Sequence, residues 1–192
     1  MSLIFRFLIF FVCLLSCTTK KQSNFQVGLF EGLDLNGKVI KFAEIKDANR
    51  IALNVYSPSC TPCVEEIPAL NYINKLIQTE KLGKLYMVVD PYSIVDEDKN
   101  LPFHDAYSLA RKTMEEEVSK HNILLDVIIM KKPFKILPQK GLITGTPETL
   151  LLKTDPLVLY YNFIGPISSG KEEGKLQNDP KVLFFKRMMG GI

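Results

Sequence analysis

Apolar residues follow two rhythms along this chain. Ile51-Ala52-Leu53-Asn54-Val55-Tyr56 is a continuous apolar run broken by one amide, the pattern of a strand buried on both faces. Beyond it, Ile67, Leu70, Ile73, Leu76 and Ile77 recur at helical spacing and predict a helix from Val64 to about Lys81, closed by Gly83. Leu85 to Val89 reads as the next buried strand, and strand–helix–strand predicts a parallel crossover. Phe103, Tyr107, Ala110, Met114 and Val118 stripe a second helix, and Leu124 to Met130 reads as a further strand. Upstream, alternation on either side of Asn36-Gly37 predicts a hairpin within Leu29 to Ile45. Downstream, Leu150 to Leu152 and Leu157 to Phe163 predict another around Thr154-Asp155-Pro156. Asn178 or Asp179 caps a last helix, with Pro180 in its first turn, running to about Met189. Asp90 to Pro102 reads as a loop, and Pro133 and Pro138 exclude a long helix from Lys131 to Leu142.

The first residues follow neither rhythm. Arg6 is the one charge in the apolar run Leu3 to Leu15, which is shorter than the roughly 20 residues of a spanning helix and suits a signal peptide. It ends in Leu14-Leu15-Ser16-Cys17, which resembles the bacterial lipobox. That resemblance implies removal of residues 1–16 and lipid attachment at Cys17, with 17–26 a polar tether and 27–192 the folded domain. The alternatives are an ordinary secretory signal or an uncleaved anchor.

With 192 residues, 46% of them hydrophobic, the chain can build one domain with a proper core. Its net charge of +3 is small and no basic block interleaves with aromatics, which argues against nucleic-acid binding. Charge therefore adds little, but the four cysteines add much. Cys13 departs with the signal and Cys17 carries lipid, so Cys60 and Cys63 remain in the domain. They close too small a loop to constrain the unfolded chain, so the pair is there for chemistry. Cys60-Thr61-Pro62-Cys63 stands where a strand gives way to a helix. Unpaired N–H groups and the positive end of the helix dipole favour a thiolate there. Two intervening residues let the second sulfur reach back and close a disulfide. Cys60 is thus the expected nucleophile and Cys63 the resolving cysteine. Half a zinc site is the competing reading; it needs two further ligands, for which His104 and His121 are available. Both histidines read more simply as helix-surface residues, and Lys112 with Glu115 to Glu117 as a solvated helix face.

With strand, CxxC and helix in this order, the chain resembles the thioredoxin superfamily, and within it the membrane-tethered TlpA/ResA-type thiol-disulfide oxidoreductases. Asn54, six residues before Cys60, stands where this branch often has asparagine and classical thioredoxins a buried aspartate. Glu66 and Pro68 match an acidic residue and a helix-kinking proline past the second cysteine. Gly145-Thr146-Pro147-Glu148-Thr149 matches the loop bearing the family's cis-proline, and Phe163-Ile164-Gly165-Pro166 its closing strand and glycine. The family's tryptophan before the first cysteine is replaced by Ser59, with Tyr56 and Pro58 close by to supply the lost shape.

The resemblance implies an α/β, thioredoxin-like fold: a central mixed sheet flanked by helices, with an N-terminal hairpin extension. It implies a cis bond at Pro147 beside the dithiol, with the Thr146 backbone pairing with an extended substrate and with Pro62 and Tyr56 at the substrate surface. Asn54 has two readings, a hydrogen bond near the buried sulfur or the satisfaction of strand-edge polar groups. Glu66 reads first as a surface helix glutamate and second as a proton acceptor for Cys63 through water. The implied activity is thiol–disulfide exchange in the bacterial cell envelope, in the reducing direction, on partner thiols or disulfides. No cofactor or resident metal is expected. Other expectations are a monomer, a membrane contact through Cys17 and a membrane electron donor. Alternatives are an SCO-type copper-delivery protein, a thioredoxin-fold peroxidase and a non-catalytic binding module.

Overall fold

The computed structural model describes residues 30–95, 101–131 and 143–191. The signal segment, Cys17, the tether, the start of the domain at Val27 and the prolines 133 and 138 lie outside the described residues. Seven strands form one sheet: β1 (Glu31–Asp34), β2 (Val39–Lys41), β3 (Arg50–Tyr56), β4 (Lys84–Val89), β5 (Asp126–Met130), β6 (Glu148–Thr154) and β7 (Leu157–Ile164). Their order across the sheet is β2-β1-β5-β4-β3-β6-β7. β3, β4 and β5 run parallel, and the hairpins β1–β2 and β6–β7 add antiparallel strands at either side. The sheet is therefore mixed, and the N-terminal hairpin extends it, as expected. The helices are α1 (Thr61–Thr79), α2 (Phe103–His121), α3 (Glu173–Leu176) and α4 (Pro180–Met188).

Strand β3 organises the molecule because both of its faces are covered. Ala52, Asn54 and Tyr56 point toward the helices, where Ile67, Leu70, Ile73 and Ile77 of α1 meet Met114 of α2 and Val182 and Phe185 of α4. Ile51, Leu53 and Val55 point the other way, against Phe42, Tyr86, Val88, Leu150 and Leu152. Each large aliphatic side chain buried this way contributes about 1.5–3 kcal/mol. Truncating Leu70, which is fully buried in α1, would cost about 2–5 kcal/mol.

Three local differences from the expected elements have physical reasons. Helix α1 begins at Thr61 instead of Val64, because Cys60 is its N-cap: the Cys60 sulfur accepts from the Cys63 N–H at 3.2 Å. The first hairpin turns through four residues, not the bare Asn-Gly pair. The Asp34 carboxylate accepts from the Asn36 and Lys38 N–H groups at 2.9 and 2.8 Å, while Gly37 takes the left-handed conformation at φ 83°. Strand β5 starts at Asp126, not Leu124, because α1 claims Leu124: Asn71 Oδ1 accepts its N–H and Asn74 Nδ2 donates to its carbonyl. Asp179 caps α4 as expected, accepting from the Lys181 and Val182 N–H groups.

Candidate functional site

Strand β3 ends at Tyr56, and Ser57 to Ser59 carry the chain round to Cys60 at the start of α1. Cys60 and Cys63 form a disulfide, with sulfurs 2.12 Å apart and Cα atoms 5.3 Å apart. Cys60 is half-buried and Cys63 is 1% exposed, so one sulfur reaches the surface and the other lies beneath it. Thr61 and Pro62 are exposed between them. Pro62 sits in the first turn of α1, where a missing N–H costs little.

One turn below Cys63 on the same face of α1 lies Glu66, and here the expectation of a surface glutamate is overturned. Glu66 is 0% exposed. Its Oε1 accepts from the Ile167 N–H at 2.5 Å and its Oε2 from Asn54 Nδ2 at 3.2 Å. Burial pushes its carboxyl up to about 7, against the opposing pull of these two hydrogen bonds and of Lys181. A carboxyl that titrates near neutrality, one helical turn from a buried sulfur, can exchange a proton in the physiological range. The residue signal was present in the sequence: Glu66 shares the stripe of Cys63, Ile67, Leu70 and Ile73, whereas its exposed neighbour Glu65 does not.

Asn54 is fully buried and bridges three elements. Its Nδ2 donates to Glu66 on α1 and, at 2.9 Å, to Thr149 Oγ1, its cross-strand partner on β6. Both hydrogen bonds go to side chains of neighbouring elements, one of them the carboxyl a turn below Cys63. Among the described residues, Asn54 Oδ1 has no hydrogen-bond partner. A neutral Glu66 would change that, since a turned amide could accept the carboxyl proton.

Register places the proline loop at the same end of the sheet. Glu148 of β6 pairs with Val55 of β3, so Pro147 falls level with Tyr56 and Thr146 lies one step beyond it, on the dithiol side. The Thr146–Pro147 bond is cis. Pro147 is buried and its carbonyl accepts from the Gly165 N–H at 3.0 Å, where Gly165 adopts φ 82° at the end of β7. Ile164, opposite Glu148, is 78% exposed. In the sequence Glu148 is only a position of the proline-loop motif; in the fold it is buried and braces the loop. Its Oε1 accepts from Thr144 N, Thr144 Oγ1 and Gly145 N, and its Oε2 from Asn162 Nδ2.

Other expected residues are placed differently. Tyr56, expected at the substrate surface, is 0% exposed because α2 covers it, and its hydroxyl donates to Glu117 Oε2 at 2.6 Å. Desolvation drives its phenol pKa well upward. Glu117 consequently leaves the solvated face assigned to it and is also approached by His121 at 3.6 Å. His104 is exposed at the opposite end of α2, and 17 residues of helix put the two histidines about 25 Å apart. They cannot share one metal with the dithiol, and no cluster of three ligating side chains occurs among the described residues. A cavity of about 650 Å³ beside Arg50, Lys81 and Gly83 lies at the opposite end of β3 and includes none of these residues. No helix among the described residues is long and apolar enough to cross a membrane.

No protein-family model matches the sequence. A comparison with curated proteins finds no relative. Solved structures do resemble it. A thiol-disulfide oxidoreductase from Bacteroides fragilis NCTC 9343 superposes with a TM-score of 0.52 at 16% identity, over 79% of this chain and 98% of that one. The exposed lipoprotein thioredoxin Etrx1 of Streptococcus pneumoniae strain TIGR4 gives 0.51 at 16% identity, over 77% and 97%. StoA from Bacillus subtilis gives 0.50 at 17% identity, over 77% and 93%. At such identities the likeness is one of architecture, and it agrees with the mixed sheet and the helices packed on it: the chain has the thioredoxin-like fold.

Proposed function

We propose that this protein is a thiol-disulfide oxidoreductase that reduces partner disulfides with the Cys60–Cys63 dithiol. The observation that carries the reading is the disulfide at the start of α1, one sulfur half-exposed and the other resting above a buried carboxyl that titrates near neutrality. In the reduced protein the Cys60 thiolate attacks one sulfur of a partner disulfide. The partner's S–S bond breaks, its leaving sulfur takes a proton, and a mixed disulfide with Cys60 forms. Cys63 then gives its proton to Glu66 and attacks the Cys60 sulfur; the mixed disulfide breaks, and the leaving partner sulfur takes up a proton and departs as the second thiol. Two electrons have passed to the partner and the protein ends as the disulfide. A dithiol donor must reduce it again; a membrane protein suits that role.

The Thr146 backbone is the proposed docking edge for an extended partner. It lies on the dithiol side of the sheet, and no hydrogen bond to it is found among the described residues. Pro62 and Ile164 form the surface around it, over the buried Pro147. Ser59 in place of the family's tryptophan narrows the apolar part of that surface to Pro62 and Ile164. The lipobox-like Cys17 supports a lipid-anchored, extracytoplasmic protein with 1–16 removed and 17–26 as tether; a monomer is the proposed state. In the family the chain resembles, more reducing members carry proline at the place of Pro62, which supports the reducing direction.

Titration of the chain against glutathione and dithiothreitol buffers tests the reading. A reversible two-electron transition near −270 mV, the value of thioredoxin, supports a reductase. A value near −120 mV, that of DsbA, reverses the direction, and the lack of any transition rejects the activity.

A further inference from the structure

The peptide between Pro166 and Ile167 is hydrogen-bonded at both of its ends. Its N–H, on Ile167, donates to Glu66 Oε1 at 2.5 Å. Its carbonyl, on Pro166, accepts from the Lys181 ammonium at 3.3 Å. An ammonium on the carbonyl end of an amide polarises it, making the N–H a stronger donor toward the carboxylate. Helix α4 thus reaches a carboxyl on α1 through one peptide group of the loop after β7.

We propose that Lys181 is a positioning residue for the chemistry proposed above, holding the charged form of Glu66 beneath the dithiol through the Pro166–Ile167 peptide. The inference rests on that reading and adds a second helix to the site. The rest of the surroundings do not supply the same charge. Asn54 of β3 and Thr149 of β6 are neutral, and the cysteines are joined in the disulfide. Glu65 of α1 is exposed. Asp179, at the cap of α4, is engaged by Ser168 Oγ at 2.6 Å and by the Lys181 and Val182 N–H groups. Lys181 also acts on Glu66 through space, in the direction that lowers its pKa. Because Lys181 is exposed, its influence is screened and adjustable by salt.

The test follows the Glu66 carboxyl directly, by carbon-13 NMR of the oxidised full chain, with Glu66→Gln identifying the resonance. Lys181→Met should raise the Glu66 midpoint by about half a pH unit, a threefold gain in proton affinity of the size expected for a screened pair. Lys181→Arg should restore it, and 1 M NaCl should shrink the difference. Lys181→Gln, uncharged but polar, should behave as Lys181→Met. In parallel, the pH at which the slope of the Cys60–Cys63 potential changes should move upward with the carboxyl. An unmoved carboxyl in Lys181→Met, or a moved carboxyl with an unmoved potential profile, overturns the proposal. Absence of any reversible two-electron transition in the parent chain instead rejects the oxidoreductase reading beneath it.

Discussion

Replacing Glu66 by glutamine isolates the energetic consequence of a buried carboxyl under the dithiol. Glu66 is fully buried, and its pKa is raised from 4.5 to about 7, chiefly by desolvation. A group whose pKa is raised on folding stabilises the protein fully below its unfolded pKa, and that contribution disappears as pH climbs through the folded value. The window here is pH 4.5 to about 7. At 1.36 kcal/mol per pKa unit, charging Glu66 across it removes about 3 kcal/mol. Glutamine keeps the Ile167 hydrogen bond and, with the Asn54 amide turned, donates to the otherwise unpartnered Asn54 Oδ1. It cannot ionise. Urea unfolding of the oxidised parent and Glu66→Gln chains at pH 4.5, 6 and 8 measures the difference, in which every other titrating group cancels. The two should be nearly equal at pH 4.5, and the variant should be more stable by about 2–3 kcal/mol at pH 8. Parallel pH profiles would refute the claim that Glu66 is an ionisable burden in the fold.

Further expectations concern the dithiol and its supports. Cys63→Ser should trap a mixed disulfide between Cys60 and a partner protein, visible as a reducible adduct on non-reducing gels, and Cys60→Ser should abolish it. Tyr56→Phe removes the hydrogen bond to Glu117 and should cost about 1–3 kcal/mol in urea unfolding. Glu148→Ala leaves the Thr144 and Gly145 N–H groups without their acceptor; it should destabilise by about 2–4 kcal/mol and slow exchange with protein disulfides. Ile164→Asp, at a highly exposed position, should leave stability within about 0.5 kcal/mol. It should slow reduction of a protein disulfide while sparing a small aromatic disulfide reagent, and equal slowing of both would remove Ile164 from the docking surface.

What could be read from the sequence depended on how local its cause was. β3, β4 and α1 follow from apolar runs and a helical stripe, which local burial dictates, and α4 from its Asp179-Pro180 start. The short helix α3 carries no stripe long enough to announce itself. Tyr56 illustrates the limit at the site: its depth is set by α2, more than 40 residues away in sequence, and no nearby residue reports it. Glu66 is different. Its place on the Cys63–Ile67–Leu70 face was legible, but a glutamate early in a helix reads first as a surface residue. The Lys181–Pro166 contact, by contrast, joins a loop and a helix whose meeting only the packed fold decides.

The strand order also sets a direction in space. Leu33, Ile129, Val89 and Tyr56 stand at one level across β1, β5, β4 and β3, and β1 runs opposite to the other three. Phe30, just ahead of β1, therefore lies toward the end of the sheet from which the Cys60 loop emerges, three strand spacings or about 14 Å to its side. Thirteen residue steps separate Cys17 from Phe30 and can stretch at most about 45 Å. With lipid on Cys17, as proposed, the leash is fastened on the reactive side. Phe30 would then stay within about 45 Å of the bilayer, with the dithiol loop about 14 Å to its side and in reach of a membrane-embedded donor.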